Sequence, residues 1–231
     1  MKHSSLSIER VGAVAGVVSV VLLVSLFTVF PSIPAPNKGV DKIARSATAD
    51  RGAHLLAAYF GTLLSGALIV FGAAVAARIR RADSGDGWWI VALAGVTAAG
   101  AIGFVSDALV IVLVRAAGHG IHGDVLWLAY GGDHWIGALT GVPLGLFLVG
   151  VGVGSRSARL LPGWLSWAAI VLAAAFVVGA GSVTGDEVDG GPLGVLLFLG
   201  YLGLLIWIVS VSVILWRRPV PMRVSALASP A

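Results

Sequence analysis

Residues 88–114 read WWIVALAGVTAAGAIGFVSDALVIVLV, and Asp107 is their one charged side chain. A helix needs about 20 mainly apolar residues to cross a hydrocarbon core of about 30 Å. In lipid the backbone must satisfy its own polar groups, so a run of this length is read as a transmembrane helix. Five other stretches meet the same requirement: 11–30, 53–77, 135–153, 164–183 and 193–216. The fold expected from this pattern is all-α, a polytopic membrane protein built as a bundle of six transmembrane helices. Residues 1–218 form a single six-span domain, 31–52 an amphipathic outer loop, and 219–231 a cytoplasmic tail expected to be disordered.

Composition agrees. The 231 residues are 58% hydrophobic and only 11% charged, with a mean hydropathy of +0.99. Soluble domains carry about a quarter charged residues, so here the bilayer must act as solvent for the surface. The net charge of +4 does not point to nucleic acid, because the basic residues gather at the span ends. No cysteine is present, which removes disulfides, thiolate metal sites and cysteine nucleophiles. Lys2 and Arg10 before the first span resemble a signal-peptide start. The apolar run is longer than a typical h-region and no small-residue cleavage site follows, so a retained span is expected.

Basic residues set the orientation. Lys2, Arg10, Arg78, Arg80, Arg81, Arg156, Arg159, Arg217, Arg218 and Arg223 fall on one side, against Lys38, Lys42, Arg45, Arg51 and Arg115 on the other. The ten-to-five bias predicts both termini in the cytoplasm, N-in/C-in. Trp88, Trp89, Trp164, Trp167 and Trp216 stand beside the inner clusters, as an aromatic belt would. The acidic turn Asp186, Glu187, Asp189 then falls outside. Two inner turns look alike, Arg78–Arg81 before Gly87-Trp88-Trp89 and Arg156–Arg159 before Gly163-Trp164. Duplication of the transporter kind would explain them; the simpler reading is that any inner-leaflet turn favours Arg and Trp.

Pro31, Pro34 and Pro36 end the first helix, since each removes a backbone donor. Val40, Ile43, Ala44 and Ala47 then recur at helical spacing with Asp41, Lys42 and Arg45 between them. A short amphipathic helix on the outer membrane surface is expected, with a partner-binding helix as the alternative. Helix contacts in lipid depend on small residues. Gly137, Gly141 and Gly145 form one such stripe, fitting internal packing or a homo-oligomer seam, and Gly12 and Gly16 a shorter one. Pro143, on another face of its helix, should bend it.

Ionisable groups inside a membrane are costly and mark functional candidates. Asp107 comes first, in the outer third of its span, followed by His134, Asp133 and His54. If the fourth span starts at Trp135, after a break at Gly131-Gly132, Asp133 and His134 sit at its outer mouth. If it starts at Val125 they lie as deep as Asp107. The mouth is the favoured reading.

Most histidines and acids lie on the outer side, and imidazole with carboxylate suits a divalent ion. His119, His122, Asp124 and His134 are the weak metal candidates, in a loop that Gly118, Gly120 and Gly123 make pliable. Three functions compete. The first is a non-enzymatic transporter-like or complex-forming subunit with a polar cavity opening outward and no cofactor. In it Asp107 pairs with His54 or His134, or shuttles protons. The second is a metal-dependent intramembrane hydrolase using Ser106, Asp107, His54, His122 and His134 around zinc; the in-helix HxxxH pair of lipid amidases is missing. The third is a bis-histidine haem protein using His54 and His134. Walker, HExxH and nucleophile-elbow motifs are absent. The partners expected are the lipid bilayer and either a second copy or another membrane protein, with no nucleic acid.

Three features carry a likeness: the Pro-rich outer loop, the basic Arg78–Arg81 turn, and Leu160-Leu161-Pro162-Gly163-Trp164-Leu165-Ser166-Trp167 opening span five. With Trp216-Arg217-Arg218 closing the last span, the chain resembles short six-span integral membrane proteins of actinobacteria, a family of unknown function. The resemblance covers about Val11 to Arg218 and implies a bacterial plasma membrane, with no activity attached. Arg over Lys and the abundance of Ala, Val and Gly suit a high-GC genome.

Overall fold

The computed structural model describes residues 8–34, 39–82, 86–121, 123–184 and 191–217. Eight α-helices run through them: α1 (Ile8–Thr28), α2 (Val40–Ala49), α3 (Arg51–Ala82), α4 (Trp88–Gly118), α5 (Asp124–Leu139), α6 (Gly141–Ser157), α7 (Gly163–Gly179) and α8 (Pro192–Arg217). A short 3₁₀ turn, Ala180–Thr184, extends α7. Among the described residues there is no strand. Six segments are long and apolar enough to cross a membrane: α1, α3, α4, α5 with α6, α7 with its 3₁₀ turn, and α8. The chain is therefore a multi-pass membrane protein, an all-α six-helix bundle. An even number of spans puts both described ends on the same side. The side chains of Lys2, Pro36, Lys38, His122, Asp186, Glu187, Asp189, Arg218 and Arg223, and the tail 219–231, lie outside the described residues.

The spans close into a ring in the order α1, α3, α4, α6, α7, α8 and back to α1. Small residues let the backbones approach, as packing in lipid requires. Along the α3–α4 seam a side chain at Gly61 would strike the Asp107 carboxyl, one at Gly103 the Ser65 hydroxyl, one at Gly100 Ile69, and one at Gly72 Val96. Gly95 lies against the α6 backbone at Phe147, and Gly150 against Ala92. Of the stripe marked in the sequence, Gly141 and Gly145 meet α7 at Phe176 and Val177. Gly137 instead faces open space, with the Ser106 hydroxyl 4.0 Å from where its Cβ would be. Gly12 and Gly16 pack on Ala74 and Phe71 of α3 and on Leu215 and Ser212 of α8.

Two expectations need correction. The fourth span does not start at Trp135: helix runs from Asp124, straight through Gly131-Gly132. Opening the chain there would strand backbone groups in lipid, so Asp133 and His134 lie within the span and not at its mouth. The irregularity in this span is a local one at Thr140 between α5 and α6, where the backbone stays helical but one bond of the ladder is lost. Pro143 causes it, having no N–H to give the Leu139 carbonyl one turn earlier and a ring that crowds it. The amphipathic helix α2 forms where its periodicity indicated, but its apolar face packs against other helices. Ile43, Ala44 and Ala47 are buried with Leu113 and Val114 of α4 and Leu126, Ala129 and Tyr130 of α5. Ile33, in the stretch before α2, accepts a hydrogen bond from the Tyr130 hydroxyl at 3.0 Å. The polar side of α2, with Asp41, Lys42 and Arg45, stays exposed.

At the opposite end, Glu9 of α1 is 1% exposed. It accepts a hydrogen bond from Arg81 of α3 at 3.1 Å, and Arg78 lies 4.0 Å away. Three guanidinium groups at this end stack on indole rings: Arg10 on Trp216, Arg80 on Trp89 and Arg156 on Trp167, 4.7–5.8 Å from the ring centres. Such stacking holds the long cations along the bundle rim.

Candidate functional site

The ring is filled on one half and hollow on the other. Phe71, Phe147 and Trp207 are fully buried at its centre, with both phenyl rings edge-on to the indole at 6.0 and 6.2 Å. The Trp207 N–H donates to the Leu165 carbonyl at 3.1 Å, so the polar handle of this large ring is satisfied. Beyond this plug, toward α2, lies a cavity of about 390 Å³, within the range of small-molecule sites.

Five of the six spans bring polar groups to it: Ser19 from α1, Ser65 from α3, Ser106 and Asp107 from α4, Asp133 and His134 from α5, and Tyr201 from α8. Thr140, between α5 and α6, adds another. Helix geometry explains the grouping. Gly61 and Ser65 are one turn apart on one face of α3, opposite the similarly spaced Gly103 and Asp107 on α4. The Ser106 hydroxyl donates to Asp133 Oδ1 and joins α4 to α5. The Thr62 hydroxyl, on the same stretch of α3, donates to the Ala58 carbonyl at 3.0 Å. Asp107 Oδ2 is buried and has no hydrogen-bond partner among the described residues. The deeper walls are apolar, with Leu64, Leu68, Leu144, Leu204 and Ile208. No lysine or arginine lines the cavity.

The structure thus brings together three of the four leading candidates, Asp107, Asp133 and His134. His54 is not with them. It is buried at 2% exposure on the Gly61 face of α3, but seven residues outward, about 10 Å along the helix. Its Nε2 has no hydrogen-bond partner among the described residues, and it does not line the cavity that His134 lines. His134 lies beside the Tyr130 ring, 6.0 Å between centroids.

His119 and Asp124 are exposed at the α2 end of the bundle, away from the cavity lining, and His122 is outside the described residues. Among the described residues no three His, Cys, Asp or Glu side chains are placed to hold one metal ion.

Sequence reasoning missed the lining from the first and last spans. Ser19 continues the Gly12–Gly16 face of α1, and Tyr201 is the one tyrosine of the last span. A search for hydroxyls on small-residue faces would have found Ser19 and Ser65. No protein-family model matches this chain, and neither the curated proteins nor the solved structures hold a match to it.

Proposed function

We propose that the protein is a non-enzymatic, transporter-like membrane protein, or a subunit of a membrane complex, that takes a small solute into the cavity from the outer side. In this reading it sits in a bacterial plasma membrane with both termini cytoplasmic, as the basic-residue bias and the likeness to six-span actinobacterial proteins imply. One observation carries it: an empty volume inside the bundle where two carboxyl groups and an imidazole converge, with no lysine or arginine in the lining. Uncompensated carboxyl groups inside a membrane are kept for a purpose other than packing. In this reading the aromatic plug of Phe71, Phe147 and Trp207 stands on the inner side of the cavity, and entry is from the outer half.

The chain has no cysteine of its own, so a single Gly137→Cys variant reports on the cavity directly. The added side chain has room there. A membrane-impermeant maleimide should label it in right-side-out vesicles and not in inside-out ones. Labelling from the inner side alone, or from neither side, contradicts the reading.

A further inference from the structure

The lining also restricts the solute's chemistry. Asp107 and Asp133 supply negative charge, and their neighbours are hydroxyls and one imidazole. An anion would meet both carboxylates with no lysine or arginine to offset them. A neutral solute with no donor to give would leave the carboxyl groups to the Ser106 hydroxyl and the His134 imidazole, with Asp107 Oδ2 still lacking a partner. A bare metal ion needs several converging ligands, and among the described residues no three ionisable ligands converge. It would also leave the deeper apolar walls facing empty space or water.

Shape narrows the choice further. The carboxylates lie at the outer end of the hollow. From Asp107 the wall descends along α4 to Ala99, eight residues or about 12 Å at 1.5 Å per residue. That lower section is built from Leu64, Leu68, Leu144 and Leu204. A ligand that fills the space has a polar head of a few atoms and an apolar body about one ring or a short chain long. Phe27 and Tyr201 stand together on the wall, ring centres 6.5 Å apart. Aromatic faces attract a cation, more strongly where water is excluded.

Building on the function proposed above, we propose that the cavity binds a monovalent organic ammonium ion with an apolar body. The ammonium head donates to Asp107 Oδ2, the buried acceptor that lacks a partner, and the body lies among the leucines. Asp133, held by Ser106 and followed by His134, places a second carboxyl acceptor at the head of the ligand.

The test uses the Gly137→Cys reporter in right-side-out vesicles, with three probes of matched size: 2-phenylethylammonium, 2-phenylethanol and 3-phenylpropionate. The ammonium ion should slow labelling at least tenfold at saturation, and the alcohol and the carboxylate should not. Asp107→Asn should raise the half-protecting ammonium concentration at least tenfold, one charge-assisted contact being worth that much. Asp133→Asn, measured in parallel, keeps the comparison readable if one variant inserts poorly. Leu23→Cys on the α1 wall serves as a second reporter. Equal protection by the alcohol, stronger protection by the carboxylate, or ammonium protection indifferent to both Asn substitutions overturns the proposal. A reporter that labels from outside but is protected by none of the three overturns the ammonium assignment and leaves the outward cavity standing. A reporter that never labels overturns both.

Discussion

The two ends of the bundle each bury acid, in opposite ways. At the rim rich in arginine, Glu9 is enclosed between α1 and α3 with Arg81 at 3.1 Å and Arg78 at 4.0 Å. In the other half, Asp107 and Asp133 face a cavity that no lysine or arginine lines. Burying a charge costs several kcal/mol unless a partner offsets it. Glu9 has its partners within the chain, and so clasps two helices. The cavity carboxyl groups have hydroxyls, the His134 imidazole and a void, but no lysine or arginine. A compensated acid holds structure together, whereas an uncompensated one is held ready for something that arrives.

That contrast can be broken by substitution. Glu9→Ala should do the greatest damage, removing the acid between two arginines and lowering stability by about 3 kcal/mol, the lower end for a broken buried pair because Arg81 is partly exposed. Thermal unfolding in detergent would register it, and an unchanged midpoint would remove the clasp from the account. Gly95→Ala comes next. Its methyl group would press on the Phe147 backbone, which cannot rotate away, so α4 and α6 must part at a cost of about 2 kcal/mol. Gly137→Ala is the smallest, within about 0.5 kcal/mol of the parent or slightly stabilising, since a helical glycine over open space loses only its excess chain freedom. If Gly95→Ala and Gly137→Ala unfold together, the distinction between packed seam and open cavity fails.

How much of this could be read from the sequence follows from range. Hydropathy is local and strong, so every span was visible, and α4 begins at Trp88 as the sequence suggested. The periodicity of 40–47 was local too, and the helix is there. What covers its apolar face was not, because lipid and a neighbouring helix look alike to an amphipathic pattern. Gly131-Gly132 misled for a related reason. In water paired glycines open a helix readily, but inside a membrane backbone hydrogen bonding overrides their weak propensity. Asp107, Asp133 and His134 were legible because intramembrane polarity is rare. Their meeting was partly hidden, since it depends on Ser106 reaching across from α4. His54 had the same polarity signal and sits elsewhere, a difference set by its depth on α3. The Glu9 clasp was silent, because one acid near a chain end gives no hint of arginines about seventy residues away.

The most direct test of the central claim is the unfolding midpoint of Asp107→Asn beside that of Glu9→Gln, two exchanges of carboxylate for amide of nearly equal size. Glu9→Gln should unfold several degrees lower, because Arg78 and Arg81 lose their anion. Asp107→Asn should unfold at or above the parent midpoint, because the Oδ2 it exchanges for an amide nitrogen has no hydrogen-bond partner among the described residues to lose. A loss of stability in Asp107→Asn as large as that in Glu9→Gln would contradict the account and make Asp107 one more structural acid.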